Sequence, residues 1–402
     1  MDVIERFLKY VAFDTQSNET SAELPSTPGQ VVLARALVDE LRALGAADVH
    51  LSDGGYVYAT VPASPDRADE PALGFLAHVD TSPDASGRDV KPSIVDYAGG
   101  VLPLGTSGRA LDPAMFPELD RFAGKRLIVT DGTTLLGADD KLGVALAMTL
   151  AEELLAAGAP SHREIRLCFT PDEEIGQGTR GFEPDRFGAT RAYTIDGGAV
   201  DEIENANFNA AHATFTVTGV SVHPGTAKDV MVNAVKVAAE ILAGLPADEA
   251  PEHTEGRLGF FHPCEIQGAV GQARLECLVR DHDAAAFARR KEFLAKLAET
   301  VGARHPTAKV AVAIRDQYAN MEEGIAAAPE LMENACAAVR SVGLEPKIVA
   351  IRGGTDGAAL TRMGIPCPNL GTGGRNYHGE CEYAVVEEVE QALRIVRYLA
   401  TK

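Results

Sequence analysis

The feature that most restricts how this chain can fold is a change of rhythm near residue 208. Before it, strand and helix patterns alternate. "ALGFLAHVD" reads as a buried strand, "LGVALAMTLAEELLAAG" as a helix ended by glycine, and "REIRLCFTP" and "RAYTIDGG" as two more strands. Such alternation predicts an α/β layer architecture. After it come strand "FNAAHATFTVTGV", helix "VMVNAVKVAAEILAGL", strands near "GRLGFFHPCEIQG" and "GQARLECLVRDHD", helix "AAAFARRKEFLAKLAETVG" and strand "AKVAVAIRDQY". This βαββαβ order is self-contained and suits an α+β ferredoxin-like module inserted into the first domain. The α/β pattern resumes near residue 320, so the expected organisation is 1–207 and 320–402 as one domain, with 208–319 inserted. A chain of 402 residues is too long for one ordinary core, which agrees. The Gly-, Pro- and Asp-rich segment from about 80 to 125 reads as a long surface excursion with a small hairpin.

Charge narrows the function classes. The balance is 37 basic against 58 acidic residues, a net −21, and such a surface repels phosphate backbones and anionic lipid. Nucleic-acid and membrane-surface roles are therefore not expected. The N-terminal "MDVIERFLKYVAF" has the spacing of an amphipathic helix rather than a signal peptide, and "LGVALAMTLAEELL" is too short and too charged to span a bilayer. A cytoplasmic location is the expectation. The six cysteines form no CxxC pair and no tight framework, which fits reduced thiols better than disulfides or a zinc knot.

The potential metal ligands fall at the carboxyl ends of predicted strands, the edge where open α/β sheets bind ligands. His78 and Asp80 follow one strand, Glu173 and Glu174 a second, and Asp196 ends a third. Two residues apart in extended chain, His78 and Asp80 share a face, so the carboxylate can orient a metal-bound imidazole; a hydrogen-bonded structural histidine has the same pattern. Asp139 and Asp140 open a helix, where capping accounts for one aspartate and leaves the second free to bridge two cations. Glu173 and Glu174 point in different directions, so one can ligate while the other faces substrate as a base; two solvated loop glutamates are the alternative. His378 lies in the glycine-rich "NLGTGGRNYHGECEY".

In order and spacing, "HVDTSPD", "GADDKLG", "TPDEEIGQG", "TIDGG", "SVHPGTAK", "IRGGTDGAAL" and "NYHGECEY" resemble the M20 family of dinuclear zinc exopeptidases over nearly the whole chain. The resemblance implies a zinc-exopeptidase-like catalytic domain with a mostly parallel or mixed central sheet between helices, and an inserted lid and dimerisation domain. It implies two Zn²⁺ per subunit, with Co²⁺ or Mn²⁺ as possible substitutes. His78 and Asp196 would hold one ion, Glu174 and His378 the other, and Asp140 would bridge them. Asp80 would orient His78, and Glu173 would be the general acid/base.

The implied reaction is release of the N-terminal residue from tripeptides by attack of a hydroxide held by the zinc pair. A dipeptidase or an N-acyl amino-acid deacylase of the same family is the alternative, and a silent scaffold would need a ligand or base to be missing. His223 in "SVHPGTAK" resembles the family's lid histidine that stabilises the oxyanion. Arg280, Asn233 and Arg352 are the candidates for gripping substrate, Arg because its fork matches a carboxylate. The implied partners are a small peptide and a second copy of the chain, paired through the inserted domain.

Overall fold

The computed structural model describes residues 1–402, and the chain divides into two compact units. One comprises Met1–Asn205, Met321–Val349 and Thr355–Lys402; the other comprises Ala206–Asn320 with Ala350–Gly354. The last segment, which includes Arg352, falls in the inserted unit, whereas the sequence pattern predicts it in the first domain. No helix is long and apolar enough to cross a membrane.

In chain order the main elements are helices α1 (Val3–Tyr10) and α2 (Pro28–Leu44), strands β1 (Ala47–Leu51), β2 (Val57–Val61) and β3 (Leu73–His78), helix α3 (Ala138–Leu155), and strands β4 (Ile165–Thr170), β5 (Ala192–Gly197) and β6 (Glu202–Ala206). The second unit contributes β7 (Asn209–Thr218), α4 (Ala234–Ala243), β8 (Phe260–Ala269), β9 (Gln272–Asp281), α5 (Ala284–Arg304) and β10 (Lys309–Tyr318). The first unit then closes with α6 (Pro329–Ser341), β11 (Lys347–Ala350), α7 (Asp356–Arg362), β12 (Asn369–Gly371) and α8 (Val386–Thr401).

The central sheet has eight strands in the order β1-β2-β4-β3-β5-β12-β6-β11. Its middle is parallel, β3 pairing with β4 and β5 and β5 with β12, while β1, β2 and β6 pair antiparallel. β3 is buried at every position, as expected of an apolar run with helices over both faces. α3 is apolar around nearly its whole circumference and packs into the same core as Phe75, Phe169 and Ile195. Each such side chain removed from water contributes about 1.5–3 kcal/mol.

The excursion after β3 is more ordered than its composition predicts. Ser93–Tyr97 and Lys125–Val129 pair with each other, and Lys125–Val129 also pairs with Tyr383–Val385 from the far end of the chain. The expected hairpin is Leu102–Pro103 against Ala110–Leu111. In the second unit β8-β9-β7-β10 form an antiparallel sheet. Its alternate residues Ala213, Phe215 and Val217 pack with Ile241 of α4 and Leu294 of α5 in a separate core.

Candidate metal centre

The parallel pairing of β4, β3 and β5 brings their carboxyl ends to one edge, and five candidate residues follow from that alone. His78 ends β3 with Asp80 just beyond it, Glu173 and Glu174 follow β4 in a short 3-10 turn, and Asp196 lies in the last turn of β5. The start of α3 meets the same edge. Gly143 lets it do so, because a Cβ there would stand 2.0 Å from the Ile195 carbonyl oxygen of β5. The turn into α3 is not helical: Gly137 has φ +79°, Asp139 φ −89° and ψ 105°, and Asp140 φ −121° and ψ 34°.

The side chains form a continuous row of donors. His78 Nε2 lies 3.4 Å from Asp196 Oδ1 and 2.9 Å from Asp139 Oδ1. The other oxygen of Asp139 lies 3.3 Å from His378 Nε2, which is 2.9 Å from Glu174 Oε2. Asp80 stands behind: its Oδ1 is 3.3 Å from His78 Nδ1 and accepts the Glu173 N–H at 3.0 Å, while Oδ2 accepts the Glu174 N–H at 3.2 Å. One carboxylate thus orients the imidazole and the glutamate turn together.

Crowding carboxylates away from water shifts their titration. Burial, with Asp139 beside it, pushes Asp196 up to about 7, and the same two causes bring Glu174 to about 7. Burial together with the charges of Asp196, Asp356 and Glu174 raises Glu173 well above the usual carboxylate range, against the pull of His78. The hydrogen bonds to Asp139 and Glu174 hold His378 up at about 11. For Asp139 burial acts upward, but the hydrogen bonds of His378 and His78 outweigh it and lower its carboxyl.

This donor set fits divalent cations. Ligand atoms of His78, Asp139 and Glu174 lie within 4.8 Å of one another, as do those of His78, Asp140 and Asp196. Glu174 Oε1 is buried without a hydrogen-bond partner, and a buried carboxylate oxygen in that state is costly unless a cation or donor meets it. Imidazole nitrogen mixed with carboxylate oxygen is the chemistry that zinc takes.

The geometry sets Asp139 beside Asp140, which keeps an oxygen in the group with His78 and Asp196, as a candidate for the shared position. It is Asp139, left in the sequence reading as a helix cap, whose two oxygens face the two imidazoles. Asp140 turns its oxygens to backbone donors, Oδ2 to the His78 N–H at 3.1 Å and Oδ1 to the Gly143 N–H at 3.0 Å. Adjacent aspartates in a non-helical turn are told apart only by their dihedral angles, which spacing does not supply.

The other four candidates belong to the second unit. His223 is exposed, and its Nδ1 accepts the Gly225 N–H at 3.1 Å. Asn233 is the N-cap of α4, its Oδ1 accepting the Val235 N–H at 3.0 Å. Arg280 donates through Nη1 to the carbonyls of Ala211 and Val279 and lies over the Tyr318 ring. Arg352 donates to the carbonyls of Gly256 and Leu258 and to Thr254 Oγ1, over the rings of Phe208 and Phe260.

Asp172 and Glu382 are among the buried carboxylates beside the centre to which the motifs assign no role. Asp172, just before Glu173, accepts from the Ser26 N–H, the Ser26 hydroxyl and Gln30 Nε2. Glu382 accepts three backbone N–H groups of the turn into α3. Both lie inside motifs already singled out, and an acidic residue in an otherwise buried motif is the signal that pointed to them.

The chain is similar to known proteins over its whole length. The model of peptidase family M20/M25/M40 matches residues 126–402. The chain is 48% identical over 406 residues to Peptidase T of Halothermothrix orenii, covering 100% of this chain and 99% of that one. Among solved structures it resembles aminopeptidase PepT from Bacillus cereus, with TM-score 0.75, 23% identity and 99% and 97% of the two chains covered. It also resembles the Bacillus subtilis YXEP protein, described as a dinuclear metal binding peptidase, with TM-score 0.67, 16% identity and 99% and 96% covered. A family match over more than half of the chain and close likeness over its full length lead to one conclusion: the chain belongs to peptidase family M20/M25/M40.

Proposed function

We propose that this protein is a metallo-aminopeptidase that releases the N-terminal residue from tripeptides. The observation that carries the reading is the Asp139 carboxylate between two imidazoles, with Asp196 on the His78 side and Glu174 on the His378 side. The likeness to Peptidase T supplies the substrate class.

In this reading His78 and Asp196 would hold one cation, Glu174 and His378 the second, and Asp139 would serve both, in the place first expected for Asp140. Zinc is the assigned metal. The chemistry that such ions would supply there is Lewis acidity towards a peptide carbonyl and a water. Glu173 belongs to neither group of close ligand atoms, and its raised pKa suits a group that takes a proton from the attacking water and returns it to the leaving amine. Asp80 keeps His78 and the Glu173–Glu174 turn in register.

His223 is assigned as an oxyanion donor. Its Nδ1 accepts a backbone N–H, so the neutral ring carries its proton on Nε2 and presents that edge as a donor. Loss of such a donor costs ~10²–10³-fold in rate. Among the substrate-gripping candidates Arg280 is favoured, since its hydrogen bonds to the chain use Nη1 and its fork suits a C-terminal carboxylate. Asn233 and Arg352 are spent on capping and on carbonyl contacts. Pairing of two copies through the edge strands β8 or β10 is the proposed assembly, and a light-scattering mass of one chain at working concentration would remove it.

The deciding experiment is amine release from Ala-Ala-Ala, Ala-Ala and N-acetyl-Ala-Ala-Ala by chelator-stripped protein before and after zinc is restored. Zinc-dependent cleavage of the free tripeptide alone is expected. Cleavage of the dipeptide or of the acetylated peptide in its place would move the assignment to a dipeptidase or a deacylase.

A further inference from the structure

Glu382 is four residues beyond His378 and is 1% exposed. Its Oε2 accepts the N–H groups of Leu136 at 2.6 Å and Gly137 at 2.8 Å, and its Oε1 accepts the Asp139 N–H at 3.1 Å. Those donors line the turn that enters α3, with Gly137 at φ +79° between them. Successive N–H groups in such a turn make a concave anion site, and here a side chain of the same protein fills it. The counter-charge is close by. Lys141 is buried and donates to the Phe13 carbonyl at 2.7 Å, and a Cβ on Gly137 would lie only 3.7 Å from its Nζ.

We propose that Glu382 is a positioning residue that locks the Leu136–Asp139 turn, so that one oxygen of Asp139 faces His78 and the other faces His378. The C-terminal loop then does two things at once: it delivers the His378 imidazole and clamps the carboxylate that imidazole meets. Asp139 and Asp140 carry non-helical dihedral angles at the start of α3, and the Asp139 N–H is met by Glu382 Oε1, so removing the clamp leaves the turn's donors without that partner. The inference rests on the reading of Asp139 as the shared metal ligand.

The test uses Glu382→Gln, in which one acceptor oxygen becomes an amide NH₂ facing an N–H, alongside Asp139→Asn. Three quantities are measured on each full chain: melting temperature after chelator stripping, zinc affinity and stoichiometry by competition with a chromophoric chelator, and the visible spectrum of the cobalt-loaded form. Glu382→Gln is expected to weaken zinc binding ~10–100-fold and to shift the cobalt bands, in protein that melts cooperatively. A purely structural glutamate would lower the melting temperature and leave affinity and spectrum at wild-type values, and that result overturns the inference.

Asp139→Asn separates the two layers. If it keeps both zinc ions at wild-type affinity, the underlying reading fails; if it loses zinc while Glu382→Gln does not, only the positioning role fails. Should Glu382→Gln not fold, Glu382→Asp keeps the charge and withdraws it by one methylene. The same zinc and cobalt changes in that variant support the inference, and a failure of both variants to fold makes Glu382 a determinant of the fold and overturns it.

Discussion

Neighbouring residues of one type do different work here because adjacent backbone positions send their side chains to different places. Glu174 reaches His378, whereas Glu173 shares only its backbone N–H with Asp80. Glu173→Gln should therefore keep both metals and lose ~10²–10⁴-fold in turnover, while Glu174→Gln should lower metal occupancy first. Equal metal loss in both, measured by atomic absorption beside tripeptide assays, would show the pair divided wrongly. The aspartate pair gives a parallel contrast. Asp140 is buried, and burial with the charge of Asp196 beside it raises its carboxyl well above the usual range. Asp140→Asn keeps an acceptor oxygen and should retain metal stoichiometry at a stability cost of about 1–3 kcal/mol, whereas Asp139→Asn should lose metal.

At the scale of elements, the site depends on how closely α3 approaches β5. Gly143→Ala puts a methyl into the Ile195 carbonyl, one residue before Asp196. Backbone must move, so a loss of about 1–3 kcal/mol and weaker metal binding are expected in melting and zinc-competition measurements. On its other side α3 is tied to α1 and α2 by Arg6, which is buried and bonds Glu40 at 2.9 Å, Glu152 at 2.6 Å and Thr149 at 2.7 Å. For Glu40 burial acts upward, but hydrogen bonds from Lys9 and Arg6 outweigh it and hold its pKa below the ordinary 4.5. A depressed carboxylate contributes stability above its unfolded pKa and loses it as pH falls through the folded value. The difference in melting temperature between wild type and Glu40→Gln should thus be full above about pH 4.5 and shrink below it. A difference that grows on acidification would contradict this ion-pair account.

At the scale of the molecule, every proposed metal ligand lies in one of two units that have separate cores. Binding to the native state stabilises what carries the ligands. Chelation should therefore raise hydrogen exchange in β3, β4, β5 and the start of α3, and leave the β7–β10 sheet at its zinc-loaded rates. Matched increases in both units would mean that the metals hold more together than their own edge of the central sheet.

Much of this was legible in the chain itself. Apolar runs and their periods marked α1, β3, α3, β4 and β5 of the first unit and all six elements of the second, because burial of a pleated or helical face leaves that imprint on sequence. The same runs located the ligand candidates at strand ends, and the order of seven motifs marked the family. Tertiary structure alone decided the rest. Which of Asp139 and Asp140 faces the imidazoles depends on the dihedral angles of a turn held by Glu382, 243 residues away from Asp139 in sequence. Lys125–Val129 became a strand of a four-stranded sheet by pairing with Tyr383–Val385, and Ala350–Gly354 joined the second unit. Local pattern records what a segment must bury, but a turn's direction or a strand's distant partner is chosen only when remote segments compete for the same hydrogen bonds.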